Sequence, residues 1–174
     1  MFRLRANFAR PLVRSYMKHN ANPQIYLHPV SDTKTKVSFS PKETAVAIGT
    51  WSHTSPLTPE SPIPVEKFTT NPQFTPLIDK LFATHIYDDF TFQFEAGGNP
   101  GCYMPIYDFR APPVHGRIPE VDDIFGYVLV NHQGQIVEGS WQENFMYRVV
   151  NSEGIMRLSD HMLEVVRKEC ELVE

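Results

Sequence analysis

The side chains best suited to chemistry in this chain are its seven histidines, because imidazole binds metals and transfers protons near neutral pH. No two of them have the H-x-x-x-H or H-E-x-x-H spacing that places two metal ligands on one face of a helix. A metal site assembled from distant residues, such as His85, His115 and Asp89, is an alternative that no motif supports. We therefore predict no metal site from the sequence. The histidines are His19, His28, His53, His85, His115, His132 and His161.

Two pairs of adjacent acids are the next candidates for catalysis. They are Asp88–Asp89 and Asp122–Asp123. Neighbouring residues of a strand point to opposite faces, so neither pair forms an obvious coupled dyad. We expect Asp122–Asp123 to act as a turn or cap before the following strand, with Arg117 folding back to pair with it.

The remaining chemical motifs favour structure over catalysis. The segment 97–101, GGNPG, lacks the Lys-Ser/Thr of a phosphate-binding loop, so it indicates a connection. Ser140, Ser152 and Ser159 lie in no G-x-S-x-G nucleophile elbow. Cys102 has no basic neighbour in the sequence that would activate its thiol as a nucleophile. The sequence thus predicts no catalytic residue and no cofactor site.

Composition limits the class of protein. The chain has 174 residues, of which 41% are hydrophobic and 21% are charged, enough for one real core and against wholesale disorder. The formal net charge of −4 argues against a general nucleic-acid binder. No run approaches 18 apolar residues, so we predict no transmembrane segment.

The first twenty residues have the composition of a mitochondrial transit peptide. They hold five Lys or Arg and no acid, and the first acid is Asp32. On a helix, Leu4, Phe8 and Leu12 would share one face. We expect residues 1–16 to be removed on import, most simply into the matrix, and residues 1–20 to make no core contacts. A basic arm for nucleic acid or anionic lipid is the alternative.

Removal of the first 15 or 16 residues would leave an acidic protein. Residues 17–174 hold 12 of the 16 Lys and Arg and all 20 Asp and Glu, which gives a formal net charge of −8. Such a charge lowers the expectation of direct RNA binding further.

Residues 17–75 are predicted to form a Pro/Ser/Thr-rich extended arm or a partly disordered segment. Nine prolines between Ala21 and Pro76 disfavour long helices and central strands. Apolar residues such as Phe39 and Trp51 favour an ordered arm over a solvated linker. Val37 and Phe39 alternate with polar residues, as in a short edge strand. We expect the middle of the arm, from Val37 to Trp51, to pack on the rest of the chain.

Residues 76–174 are predicted to form a compact α+β domain. A short helix is expected to begin at a Thr75 cap and end near Thr84. Strands are predicted over 89–95, where three Phe alternate with polar residues, and over 102–108, 125–130 and 145–150. A final helix, capped by Ser159, is predicted to end near Leu172. Trp141, beside Tyr147, is interpreted as sheet core rather than as an exposed binding patch.

The fold class predicted for the whole chain is α+β. It comprises a small, mainly antiparallel sheet with a short helix and a C-terminal covering helix, preceded by the Pro-rich extended arm. The predicted sheet residues are Phe90, Phe92, Phe94, Tyr127, Leu129, Tyr147 and Val149.

Two stretches of the sequence resemble a family of small, uncharacterised fungal mitochondrial proteins. They are GRIPEVDDIFG at 116–126 and YRVVNSEGIMRLS at 147–159. The family pattern has Glu-Asp where this chain has Asp122–Asp123. The resemblance implies a mitochondrial protein with a single domain, and it brings no catalytic residues with it.

These observations together favour a non-catalytic mitochondrial protein. We expect an assembly, accessory or interaction factor that binds another mitochondrial protein through the Pro-rich arm and the face of the small sheet, with no nucleic acid among its partners. One alternative is a small matrix enzyme or ligand-binding domain that uses dispersed His and Asp residues. Another is a protein associated with the mitochondrial ribosome.

Overall fold

The computed structural model of the protein describes residues 16–114 and 117–172. Within these ranges it shows an α+β fold with a C-terminal helix, as predicted. The helices are α1 (Phe74–His85), α2 (Phe90–Ala96) and α3 (Asp160–Leu172). The strands are β1 (Met17–Lys18), β2 (Tyr26–Ser31), β3 (Lys34–Ser38), β4 (Gly49–Ser52), β5 (Phe68–Thr70), β6 (Tyr103–Tyr107), β7 (Ile124–Leu129), β8 (Gln142–Glu143), β9 (Val150–Asn151) and β10 (Gly154–Ile155).

Residues 17–75 form a five-stranded antiparallel sheet in the order β1-β2-β3-β4-β5, instead of an extended arm. β3, predicted as an edge strand, is the central strand of this sheet. The prolines do not prevent the sheet because they lie between the strands. The exception is Pro29 in β2, where the register with β3 shifts.

The middle of this segment packs on the rest of the chain, as predicted. The Val46 N–H donates to the Cys170 carbonyl at 2.8 Å, and Arg167 Nε donates to the Phe39 carbonyl at 2.8 Å. Trp51 is only 4% exposed. One cluster of buried apolar side chains extends from the first sheet through α1 to α3, so both halves of the chain share a core.

The prediction that residues 1–20 make no core contacts is wrong for residues 16–20; residues 1–15 lie outside the described ranges. Met17 pairs with Leu27 across β1 and β2. The Tyr16 ring packs edge-on against Tyr26, with 5.2 Å between the ring centroids, and His19 is buried.

Helix α1 packs on both sheets. Phe74 contacts Phe39, which directly follows β3 of the first sheet, and the Phe82 ring stacks on Phe125 of β7 at 4.5 Å between centroids. The helix begins at Phe74, so Thr75 is not its cap, and Gln73 precedes it without a side-chain capping bond. The end at His85 agrees with the predicted end near Thr84.

The predicted strand 89–95 is wrong, because this segment forms helix α2. Asp89 caps the helix by accepting a hydrogen bond from the Thr91 N–H at 3.0 Å. On a helix, residues two apart lie on nearly opposite faces, whereas residues four apart share a face. Phe92 is accordingly buried, while Phe90 and Phe94 are 77% and 78% exposed.

The second sheet has the antiparallel order β6-β7-β8 and confirms the predicted strands 102–108 and 125–130. The predicted strand 145–150 is wrong: only its last residue, Val150, is in a strand, in the β9–β10 hairpin. Helix α3 confirms the predicted C-terminal helix, and the Ser159 hydroxyl caps it by accepting from the Met162 N–H.

Of the predicted sheet residues, Tyr127 and Leu129 lie in β7, while the three Phe belong to α2 and Tyr147 and Val149 to a loop. Trp141 agrees with the interpretation as core. It is partly buried and stacks on Phe82, and its Nε1 donates to Asp79 Oδ1 at 2.7 Å.

Candidate functional site

If the protein were an enzyme that uses dispersed residues, its cleft would have to bring together side chains such as His85, His115, Asp122 and Cys102. His85 ends α1, Cys102 is exposed just before β6, and Asp122 is half-buried before β7. His115 lies outside the described residues. None of the other three lines the cavity between α2 and α3 or the cavity beside Trp51.

Metal ligands are not clustered in the part of the chain that the structure describes. No group of three or more His, Cys, Asp or Glu side chains in this part is placed to hold a metal ion. The segment 97–101 connects α2 to β6, with Gly101 at φ +75°, a conformation that favours glycine. It is a connection, as predicted.

A buried, hydrogen-bonded polar cluster surrounds Arg110, whose side chain is 3% exposed. All five guanidinium N–H groups donate hydrogen bonds. Nε donates to Asp123 Oδ1 at 2.7 Å. The other four bonds, of 2.6 to 3.2 Å, reach the carbonyls of Asp122, Arg148, Val149 and Gly154.

Asp108 is the third charged residue of this cluster, after Arg110 and Asp123, and is fully buried. Its Oδ1 accepts from the Arg110 and Arg157 N–H groups, both at 2.9 Å, and its Oδ2 accepts from the Tyr147 hydroxyl at 2.8 Å. Burial raises the pKa of Asp108 to about 6, although Arg110 acts in the opposite direction. Burial is the main cause that raises the pKa of Tyr147 well above its ordinary value, and the Asp108 carboxylate is the second cause. The Tyr147 hydroxyl therefore remains a hydrogen-bond donor.

The expected pairing of Asp122–Asp123 with an arginine is therefore made by Arg110, and the hydrogen bonds of the structure give Arg117 no part in it. Asp123 also accepts from Asn151 Nδ2 at 2.9 Å. Sequence reasoning missed Arg110 and Asp108. A possible signal was Asp-Phe-Arg at 108–110, where opposite charges directly follow a strand whose residues are mostly buried.

The Arg110 cluster holds two loops side by side. The first loop precedes β7 and carries Ile118 and Val121; the second follows β8 and carries Phe145 and Met146. Asn144 Nδ2 donates to the Val121 carbonyl at 2.7 Å, which joins the loops directly.

These four residues are exposed apolar side chains on adjacent loops, and we call them the loop surface. Ile118 is 84% exposed, Phe145 88% and Met146 64%. Val121 is exposed as well. Large apolar residues concentrated on one part of a surface mark sites of protein interaction.

A second candidate is the cavity between α2 and α3, which we call the α2–α3 cleft. Its volume is about 460 Å³, within the range of small-molecule sites. Phe90, Phe109, Pro112 and Leu158 supply apolar walls, and Arg157 and His161 supply polar groups.

Comparison of the chain with protein-family models, with curated proteins and with solved structures found no match. Among the described residues, no helix combines the length and the apolar character that crossing a membrane requires.

Proposed function

We propose that this protein is a non-catalytic interaction factor that acts in mitochondria by binding another protein through the loop surface. The observation that carries the proposal is the exposure of Ile118, Phe145 and Met146 on two adjacent loops. The free energy of the system falls when a partner removes exposed apolar side chains from water.

The Arg110 cluster supports this proposal because it fixes the backbone on which the loop surface stands. Its guanidinium bonds the carbonyl of Asp122 in the first loop and those of Arg148 and Val149 in the second. A preorganised surface loses less conformational entropy on binding than a mobile one. Rigid loops therefore suit docking better than loops that order only with the partner.

Charge indicates the chemistry of the partner. Residues 17–174 carry a formal net charge of −8, but the exposed charges on the two loops have both signs: Glu120 and Arg117 on the first loop and Arg148 on the second. We therefore propose a partner whose apolar contact surface is bordered by a basic group facing Glu120 and by acidic groups facing the two arginines. The proposal of a mitochondrial location rests on the acid-free, Arg-rich start of the chain. The resemblance to fungal mitochondrial proteins, which stays a prediction, would imply the same location.

The binding proposal is tested with a Phe145→Ser/Met146→Ser variant of the full-length protein. The tagged variant and wild type are purified from mitochondria after crosslinking, and the recovered partners are quantified by mass spectrometry. Phe94→Ser is the matched control, because Phe94 is an exposed Phe on α2. The proposal expects one partner set that is lost with the double variant and kept with the control, with crosslinks at residues 117–121 and 144–148.

Retention of all partners by the double variant would exclude the loop surface. A change in elution volume of the purified wild type alone, relative to the double variant, would show that the occupant is a second copy of the chain. Location is tested separately by mass spectrometry of the mature N-terminus. An intact Met1 in the mitochondrial fraction, or absence from mitochondria, would contradict the proposed import.

A further inference from the structure

The α2–α3 cleft combines an apolar wall with two polar side chains, those of Arg157 and His161, that form no hydrogen bond with any residue the structure describes. Phe109 forms part of the wall, and its ring packs edge-on against Phe92 at 5.9 Å between centroids. Phe90, exposed on α2, provides a second aromatic side chain at the rim. A flat apolar group fits against such a wall.

Arg157 is the cation of the cleft. Its backbone is anchored on both sides, because its N–H donates to Asp108 Oδ1 and its carbonyl accepts from the Phe109 N–H, both at 2.9 Å. Within residues 16–114 and 117–172, no side chain or carbonyl forms a hydrogen bond or ion pair with its guanidinium. The backbone bonds fix the main chain of Arg157 at the cleft, and its side chain is exposed, so the guanidinium is available to an anion bound there.

His161, in the first turn of α3, is a second polar group without a partner. Its Nε2 is buried, and no described residue forms a hydrogen bond with it. No hydrogen bond to a described residue fixes the His161 ring, so the ring can turn toward a bound oxygen without breaking one. In that position a ring N–H can donate a hydrogen bond to the oxygen.

The other polar groups of the cleft are already engaged or lie at its rim. Asp89 accepts hydrogen bonds from the Thr91 N–H and the Ser159 hydroxyl. Gln24 accepts from the Leu158 N–H at 2.9 Å and donates to the Leu158 carbonyl at 2.8 Å. Asp160 is exposed, and the carboxylates of Asp160 and Asp89, which both line the cleft, oppose an anion there.

We propose that the α2–α3 cleft binds a small organic anion with a flat apolar body, such as an aromatic carboxylate or phosphate monoester. The apolar body packs on Phe109 and Phe90. The anionic group pairs with the Arg157 guanidinium and accepts a hydrogen bond from His161. This site does not depend on the loop surface or on any partner protein.

The test uses the full-length protein with three probes: benzoate, phenyl phosphate and neutral benzamide. Binding is followed by the amide resonances of Phe90 and residues 157–161 in ¹H–¹⁵N spectra. The proposal expects saturable shifts with at least one of the two anions, and at least about tenfold weaker binding of benzamide, because a charge-assisted pair is lost. The ratio of the two anion affinities distinguishes a carboxylate site from a phosphate site.

Three variants test the assigned roles. Arg157→Gln should weaken anion binding at least about tenfold. Arg148→Gln, which changes an exposed arginine elsewhere, should leave it unchanged. Asp160→Asn should strengthen binding, because it removes a like charge, and it remains informative if Arg157→Gln folds poorly.

The proposal is overturned by equal binding of benzamide and benzoate, by unchanged affinity in Arg157→Gln, or by weaker anion binding in Asp160→Asn. Shifts confined to residues outside the cleft, or no saturable shift with either anion, would also overturn it.

Discussion

Replacement of Arg110 by Ala is expected to destabilise the protein more than any surface substitution. The change removes five hydrogen bonds at once and leaves the Asp123 carboxylate and four backbone carbonyls without their donor. It also leaves the buried Asp108 without the cation whose Nε lies 3.5 Å from its Oδ2.

The size of the effect follows from this arrangement. Breaking one side of a buried, hydrogen-bonded ion pair costs about 3–5 kcal/mol in the free energy of unfolding, because the other charge remains buried and unpaired. Arg110→Lys should cost less, roughly 2 kcal/mol, since lysine offers three donors in place of five and keeps the charge. Even the smaller loss is a substantial part of the roughly 5–15 kcal/mol typical of a folded domain.

The assay is urea unfolding at pH 7, followed by circular dichroism and tryptophan fluorescence so that two-state behaviour is checked. Arg148→Ala is the control, because the Arg148 side chain is exposed, and it should change the stability by less than about 0.5 kcal/mol. If Arg110→Ala cost no more than this control, the cluster would not be the buried, hydrogen-bonded network described, and its role in holding the two loops would fail.

Three further outcomes are expected. Because burial raises the pKa of Asp108 from 3.8 to about 6, the folded state binds this proton more tightly. The free energy of unfolding of the wild type should then fall by about 3 kcal/mol as pH rises from about 4 to about 6. Urea unfolding of the Asp108→Asn variant over the same pH range should lack this fall. In a Trp141→Phe variant, Trp51 should emit at short wavelength and resist acrylamide, and exposed-type emission would contradict its burial. Ellman's reagent should modify one thiol, Cys102, in the native protein; Cys170 is buried and its pKa is raised to about 11, so equal rates would contradict the structure.

Local sequence patterns correctly predicted the elements in which capping, periodicity and turn residues of one segment all favour the same secondary structure. Helix α3 has its Ser159 cap and an apolar stripe, and β7 has a compact apolar run followed by a turn at Gly134, whose φ is +76°. In these segments capping, periodicity and glycine all favour one structure, so no distant contact was needed to choose it.

Ambiguous patterns were predicted wrongly. Phe90, Phe92 and Phe94 alternate as in a strand, but a helix also separates the middle Phe from the other two. Two interactions stabilise the helix: the Asp89 cap and the packing of the Phe92 ring against Tyr107 and Phe109. The prolines of residues 17–75 argue against central strands, yet β3 is the central strand of the first sheet, because the strands largely fit between the prolines.

The candidate sites show the same division more sharply. Local sequence patterns were enough to predict the fold class, the C-terminal helix, the strands 102–108 and 125–130, and the packing of Val37 to Trp51 on the rest of the chain. Tertiary packing was needed to bring Arg110 to Asp123 and to the Val149 carbonyl, to place the loops carrying Ile118 and Phe145 side by side, and to line one cleft with Phe90 and Arg157. The reason is physical: periodicity and capping act over a few residues, whereas these contacts join groups far apart in the chain, whose approach depends on how the whole core packs.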